Sequence, residues 1–173
     1  MANIQIVTLM PEEWRLYKQF RLESLLREPH AFNSSYAEVL QRPDSHWQER
    51  LIAARVGNKS WLLFARENDQ IVGMIGAFGP EKSEVVEIIS VYVSPEKRGQ
   101  GIATALMTEI LEEVGKSETF RKAVITVNES QTAAVALYRY FGFQVVGEIT
   151  GIMGDGNSYT GYIMEKDLAH SIK

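Results

Sequence analysis

The sequence predicts an α/β chain of the mixed α+β kind, in which one mixed central sheet of about seven strands is covered by helices. Three observations predict it. Strand-like apolar runs take turns along the chain with segments whose apolar residues recur every three or four positions. Turn and breaker residues, among them Pro11, Pro29, Gly57, Asn68-Asp69 and Gly142, fall between these segments. At 173 residues, 45% apolar and 23% charged, the chain can bury a core without covalent staples. With no repeat, low-complexity tract or linker, residues 1–173 read as a single domain.

The elements follow in order. Residues 3–9, NIQIVTL, alternate and form a first strand. Pro11 opens a helix where its missing N–H costs nothing. Trp14, Tyr17, Phe20, Ser24 and Leu25 share a face of that helix, and Pro29 stops it. NSSYAEVLQRP is a short helix, and DSHWQERLIAA is another, with Ser45 and Gln48 at capping-box spacing. After the turn at Gly57 and Asn58, SWLLFARE and QIVGMIGAF flank Asn68-Asp69 as a β-hairpin. SEVVEIISVYVS is apolar on both faces, the pattern of a central strand. From Gly101 the period changes: Ile102, Leu106, Ile110 and Val114 recur every four residues, with Gly115 as the stop. RKAVITVN is a strand. SQTAAVALYRYFGF is a helix with Ser130 as its N-cap and Gly142 as its end. FQVVGEI and SYTGYIMEKDL close the sheet around the connection GIMGDGN.

Composition excludes several classes of function. The net charge of −4 disfavours nucleic acid as a partner and favours a cationic small molecule over an anionic one. There is no cysteine, which removes disulfides, thiolate metal sites and a cysteine nucleophile together and fits a reducing compartment. His30, His46 and His170 are scattered without metal-ligand spacing, and His170 lies in an end expected to fray, so no metal is expected. The N-terminus lacks a basic region followed by an apolar one, and no stretch approaches ~18 apolar residues, so neither a secretory signal nor a membrane span is expected. A cytoplasmic protein is the resulting expectation.

The chemistry concentrates where a strand ends in RGQGIA and runs into a helix. The first turn of a helix leaves N–H groups unpaired at the positive end of the dipole. Glycines let a phosphate reach the backbone without meeting a Cβ. Gly99, Gln100, Gly101, Ile102 and Ala103 would present N–H groups in sequence, with Arg98 at the rim. A P-loop is excluded because Ile-Ala-Thr follows Gly101. A dinucleotide fingerprint would need a third glycine where Thr104 stands. A lone G-x-G can also be a tight turn that binds nothing.

VYVSPEKRGQGIATALM resembles the signature of the GCN5-related N-acetyltransferase superfamily, a strand ending V-x-P followed by R-G-Q-G-I-A and a helix. VNESQTAAVALYRYFGF is similar to the second signature of that superfamily, with Asn128, Ala134, Leu137, Tyr138, Gly142 and Phe143 at the pattern's positions. The resemblance spans roughly residues 84–165. It implies the acyl-CoA N-acyltransferase fold, with a V-shaped splay, opened at a bulge, between the fourth and fifth strands. It implies acetyl-CoA as co-substrate, its pyrophosphate at Arg98, Gly99, Gln100, Gly101, Ile102, Ala103 and Thr104. Its pantetheine arm would meet the backbone of Tyr92 and Val93 and the side chain of Asn128, with Ala134 on the facing helix. A monomer or homodimer is in keeping with it.

The implied reaction is acetyl transfer to a primary amine of a small molecule or peptide. An alkylamine is mostly protonated near neutral pH, so a base is useful. Glu87 is the only charged residue in the run from Val85 to Val93, where desolvation would raise its pKa toward the useful range. It can equally pair with a cation. Tyr138 would protonate the leaving thiolate, or else pack beside Phe141 and Phe143. Without cysteine, direct attack in a ternary complex is the simplest route. The acceptor pocket would take Phe32 and Tyr36 from the first helices, Glu84 from the loop FGPEKSE, and Asp155 and Tyr159 from the closing hairpin. Acidic and aromatic groups suit an amine through charge and cation–π contact. Two other functions stay open on these residues: a non-catalytic acyl-CoA-binding sensor, which needs neither Glu87 nor Tyr138, and a nucleotide-dependent oxidoreductase.

Overall fold

The computed structural model describes residues 3–169. The element order is the expected one: β1 (Ile4–Val7), α1 (Trp14–Arg27), α2 (Tyr36–Leu40), α3 (Asp44–Val56), β2 (Ser60–Glu67), β3 (Gln70–Phe78), β4 (Val85–Val93), α4 (Ile102–Gly115), β5 (Lys122–Asn128), α5 (Thr132–Tyr140), β6 (Gln144–Ile152) and β7 (Ser158–Asp167). The seven strands form one sheet in the order β1-β2-β3-β4-β5-β7-β6. All neighbours are antiparallel except β4 and β5, which run parallel.

Strand periodicity explains the two-sided core. Along β2, Leu62 and Phe64 face one way and Trp61, Leu63 and Ala65 the other. The first face packs under α1–α3, where Trp14, Tyr17, Phe20, Trp47 and Leu51 are buried. The second packs under α4 and α5, through Leu106, Ile110, Val114 and Val135. β2 and β3 therefore read as continuous apolar runs although their pairing is antiparallel.

Some local expectations fail for identifiable reasons. The capping box sits at α2, not α3: the Ser35 hydroxyl accepts from the Glu38 N–H at 3.3 Å, and the Glu38 carboxylate accepts from the Ser35 N–H at 2.9 Å. At α3 the N-cap is Pro43, which leaves Ser45 inside the helix. Ser130 is not a cap either, since its hydroxyl donates to Asn128 and α5 begins at Thr132 after Gln131. β4 is buried on both faces only in its second half, because Val85 and Glu87 are exposed. His170 lies outside the described residues.

Candidate active site

β4 and β5 hold parallel register only where residues 85–87 face residues 122–124, and then diverge. This is the expected splay, and β4 carries a distortion beside it. Gly76 pairs with Ile89 and Met74 with Tyr92, so Ser90 and Val91 together face Ile75. The extra residue is a β-bulge, and Ser90 takes up the bend at φ +58°. The Ser94 N–H donates to the Val72 carbonyl at 2.9 Å. Alternation along an antiparallel ladder then turns the backbone of Tyr92 toward β3 and that of Val93 toward the opened side. The sequence reading gave Tyr92 and Val93 the same role; of the two, only Val93 turns its backbone to the opened side, with the bulged Val91 beside it. The Tyr92 ring packs under α1, near Phe20.

Two cavities meet in the splay. One, of about 530 Å³, is lined by Tyr92 and Val93, by Arg98, Gly99, Gly101, Ile102, Ala103 and Thr104, and by Ala134 on α5. Gln100 is exposed and does not line it. The other, of about 620 Å³, holds Glu87, Phe32, Asn128 and Tyr159. Ala31, Val91, Gln131 and Tyr138 line both.

The first cavity has the cradle that the glycines predict. Gly99 (φ +73°) and Gly101 (φ +79°) adopt the left-handed conformation, and a Cβ at either would meet nothing within 4 Å. The Ala105 N–H donates to the Gly101 carbonyl, so the N–H groups of Ile102, Ala103 and Thr104 have no intrahelical acceptor. Arg98 braces this turn. Its Nε donates to the Val93 carbonyl at 3.0 Å, its guanidinium pairs with Glu28 at 2.8 Å, and it lies 5.8 Å from the Tyr92 ring centre.

Asn128 is buried, and its amide is already used: Oδ1 accepts from the Ser130 N–H and Oγ, and Nδ2 donates to the His30 carbonyl at 3.3 Å. Its side chain fixes the turn from β5 into α5 and ties it to the segment after α1, a turn-capping role where a pantetheine contact was expected. Tyr138 is 4% exposed, its ring edge-on to Phe143 at 6.2 Å. Burial pushes its phenol far above the ordinary value.

The acceptor side corrects the sequence reading most. The hairpin tip docks on the α1–α2 segment through the Gly154 N–H, which donates to the Phe32 carbonyl at 2.7 Å. Phe32 and Tyr159 thus come together around the larger cavity. Asp155 stands behind them: it accepts from the Tyr159 hydroxyl at 2.7 Å and from Asn157, bonds that hold its carboxyl below the usual range, the tyrosine first. Tyr36 belongs to a different surface hollow, with Trp14 and Lys18. Glu84 precedes the far end of β4, where its carbonyl accepts from the Arg121 N–H at 2.7 Å. Glu87 does line the cavity but is exposed, so the desolvation expected of it is missing. Three charged residues of the cavity were not foreseen: Arg21, Arg42 and Arg50. Arg21 had a signal, since it interrupts the buried face of α1 between Tyr17 and Ser24. Among the described residues no three His, Asp or Glu side chains are grouped to hold a metal ion, and no helix is long and apolar enough to cross a membrane.

A parallel pair splayed at a bulge, with a glycine cradle below it, was the geometry implied by the two signatures, and residues 16–143 match the Acetyltransferase (GNAT) family. The chain belongs to this family. It is 30% identical over 128 residues to the L-amino acid N-acetyltransferase AaaT of Escherichia coli (strain K12), covering 70% of this chain and 76% of that one. It is 35% identical over 88 residues to the L-2,4-diaminobutyric acid acetyltransferase of Marinococcus halophilus, half of each chain. Against N-acetyltransferase 8B of Rattus norvegicus it is 31% identical over 96 residues, 53% of this chain. The chain spans only 42% of that relative's length. The GNAT-family acetyltransferase of Streptococcus pneumoniae superimposes with a TM-score of 0.86 at 18% identity, over 96% of this chain and all of that one. YncA of Salmonella typhimurium, a putative acetyltransferase solved with its cofactor acetyl-CoA, gives 0.80 at 17% identity, over 99% and 98%. These two likenesses establish the GNAT fold.

Proposed function

We propose that this GNAT-family protein moves the acetyl group of acetyl-CoA to a primary amine by direct attack in a ternary complex. The observation that carries the reading is the junction at Val91 and Tyr138, residues that line both the cradle cavity and a second cavity large enough for an acceptor. The named relatives that acetylate amino acids support it. The pyrophosphate lies on the N–H groups of the 99–104 turn, and pantetheine follows the opened edge of β4. There the Val93 N–H is available, while the Val93 carbonyl is already held by Arg98. The amine enters from the larger cavity and attacks the thioester carbonyl beside the bulge. Glu87 takes the amine proton through water, which its exposure allows. The Tyr138 hydroxyl faces the sulfur that leaves.

Thiol release from acetyl-CoA with a panel of amines tests the reading. Release that depends on the amine is the expected result. A protein that acetyl-CoA protects against heat but that releases no thiol with any amine would be a sensor rather than an enzyme. Glu87→Gln is expected to keep cofactor affinity and lower turnover by roughly 10- to 100-fold, at or below the low end of base catalysis. Raising the pH should restore part of the loss, because more amine is then neutral. Turnover unchanged across pH would assign the proton to bulk water or another group.

A further inference from the structure

Arg21 on α1, Arg42 in the turn after α2 and Arg50 on α3 line the same cavity as Glu87. Among the described residues, none of the three pairs with a carboxylate. Arg42 is exposed and lies 3.2 Å from the His46 ring, which brings no negative charge. The Arg21 guanidinium is stacked on the Phe32 ring at 4.4 Å. Arg21 Nη1 and Arg50 Nε are buried without a hydrogen-bond partner. Burial first, and then repulsion from Arg42 and Arg50 against an upward pull from Tyr17, draws Arg21 down to about 10. Like charges held together with buried, unpaired donors are costly unless an anion completes the arrangement.

Building on the acetyl-transfer reading above, we propose that the acceptor is an amino acid whose carboxylate is bound by Arg21 and Arg50, with Arg42 at the rim. The two guanidinium groups that line this one cavity carry enough N–H donors for both oxygens of one carboxylate. The amine of the same molecule then has Glu87 in the same cavity. A polyamine, cationic throughout, would meet three positive charges against the single carboxylate of Glu87. The overall charge of −4 says nothing of this, because every acidic residue except Glu87 lies outside this cavity.

The test compares each of the twenty L-amino acids with its own carboxamide, at saturating acetyl-CoA, in the wild type, Arg21→Met and Arg50→Gln. For the best acceptor, kcat/KM of the free acid is expected to exceed that of the amide tenfold or more, chiefly through KM. Both variants should bring the ratio near one, and a ratio is insensitive to general damage. Melting with coenzyme A present gives a second readout: the free acid, not the amide, should raise the Tm of the wild type, and Arg50→Gln should lose the rise. Absence of thiol release with every acceptor would defeat the transfer reading alone, since melting still decides the arginine site. An amide as good as its acid, a ratio unchanged in both variants, or preference for the matching aminoalkylphosphonate would each overturn the carboxylate assignment. So would the absence of any melting difference between acid and amide.

Discussion

Tyr138→Phe is expected to lower turnover by on the order of ten- to a thousandfold, the range for a lost donor to a developing anion, while stability and cofactor affinity stay near normal. The substitution separates two roles of one side chain. The ring is packed in the core edge-on to Phe143, and phenylalanine keeps that contact. Only the hydroxyl is removed, from the place where the two cavities join. Because burial pushes the phenol far up, the proton stays on oxygen at any working pH. Full transfer to a thiolate, whose thiol has a pKa near ~8.5, is then uphill, so the contribution expected is a hydrogen bond to the leaving sulfur. The simple acid matching suggested by ordinary pKa values is narrowed to that. Water can protonate the departing thiolate, so some activity survives. Steady-state rates with melting curves check the result, and wild-type rates would return Tyr138 to core packing alone.

Gly101→Val is expected to weaken acetyl-CoA binding by about a hundredfold or more, which removes at least about 2.3 of the about 2.7 kcal/mol of ligand stabilisation at a ligand concentration 100 times the wild-type Kd. Two effects act together. A β-branched residue at φ +79° is strained, which costs roughly 1–3 kcal/mol of stability. The side chain also fills open space, since nothing in the protein lies within 4 Å of a Cβ there. That space is where the phosphate is expected. Gly156→Val separates the two effects. Gly156 has φ +82° and open surroundings as well, but it lies in the β6–β7 turn and lines neither cavity. It should lower the Tm in a similar way and keep the acetyl-CoA shift. An acetyl-CoA shift retained by Gly101→Val would make the turn purely structural.

The fold was legible because its punctuation is chemical. Pro11, Pro29, Gly57 and the Asn68-Asp69 pair each mark a boundary that the backbone obeys. The cradle was legible for the same reason, since Gly99 and Gly101 do adopt positive φ. The bulge was implied by the family resemblance alone; its place at Ser90 was not legible, because a serine at positive φ inside an apolar run leaves no local signal. The capping box was misplaced because two serines offer the same spacing, and only Pro43 at the start of α3 decides between them. Glu87 looked desolvated because an apolar run suggests two-sided burial, whereas that half of the strand alternates. The arginine cluster is a tertiary fact: residues 21, 42 and 50 are remote in sequence and converge only when α1–α3 pack on the sheet.

A crystal structure of the protein with coenzyme A tests the central assignment most directly. The pyrophosphate is predicted within hydrogen-bond distance of the N–H groups of the 99–104 turn. Pantetheine should run along the opened edge of β4 and place the sulfur beside Val91 and the Tyr138 hydroxyl. A pyrophosphate bound elsewhere, or a sulfur remote from the Val91–Tyr138 junction, would contradict the account.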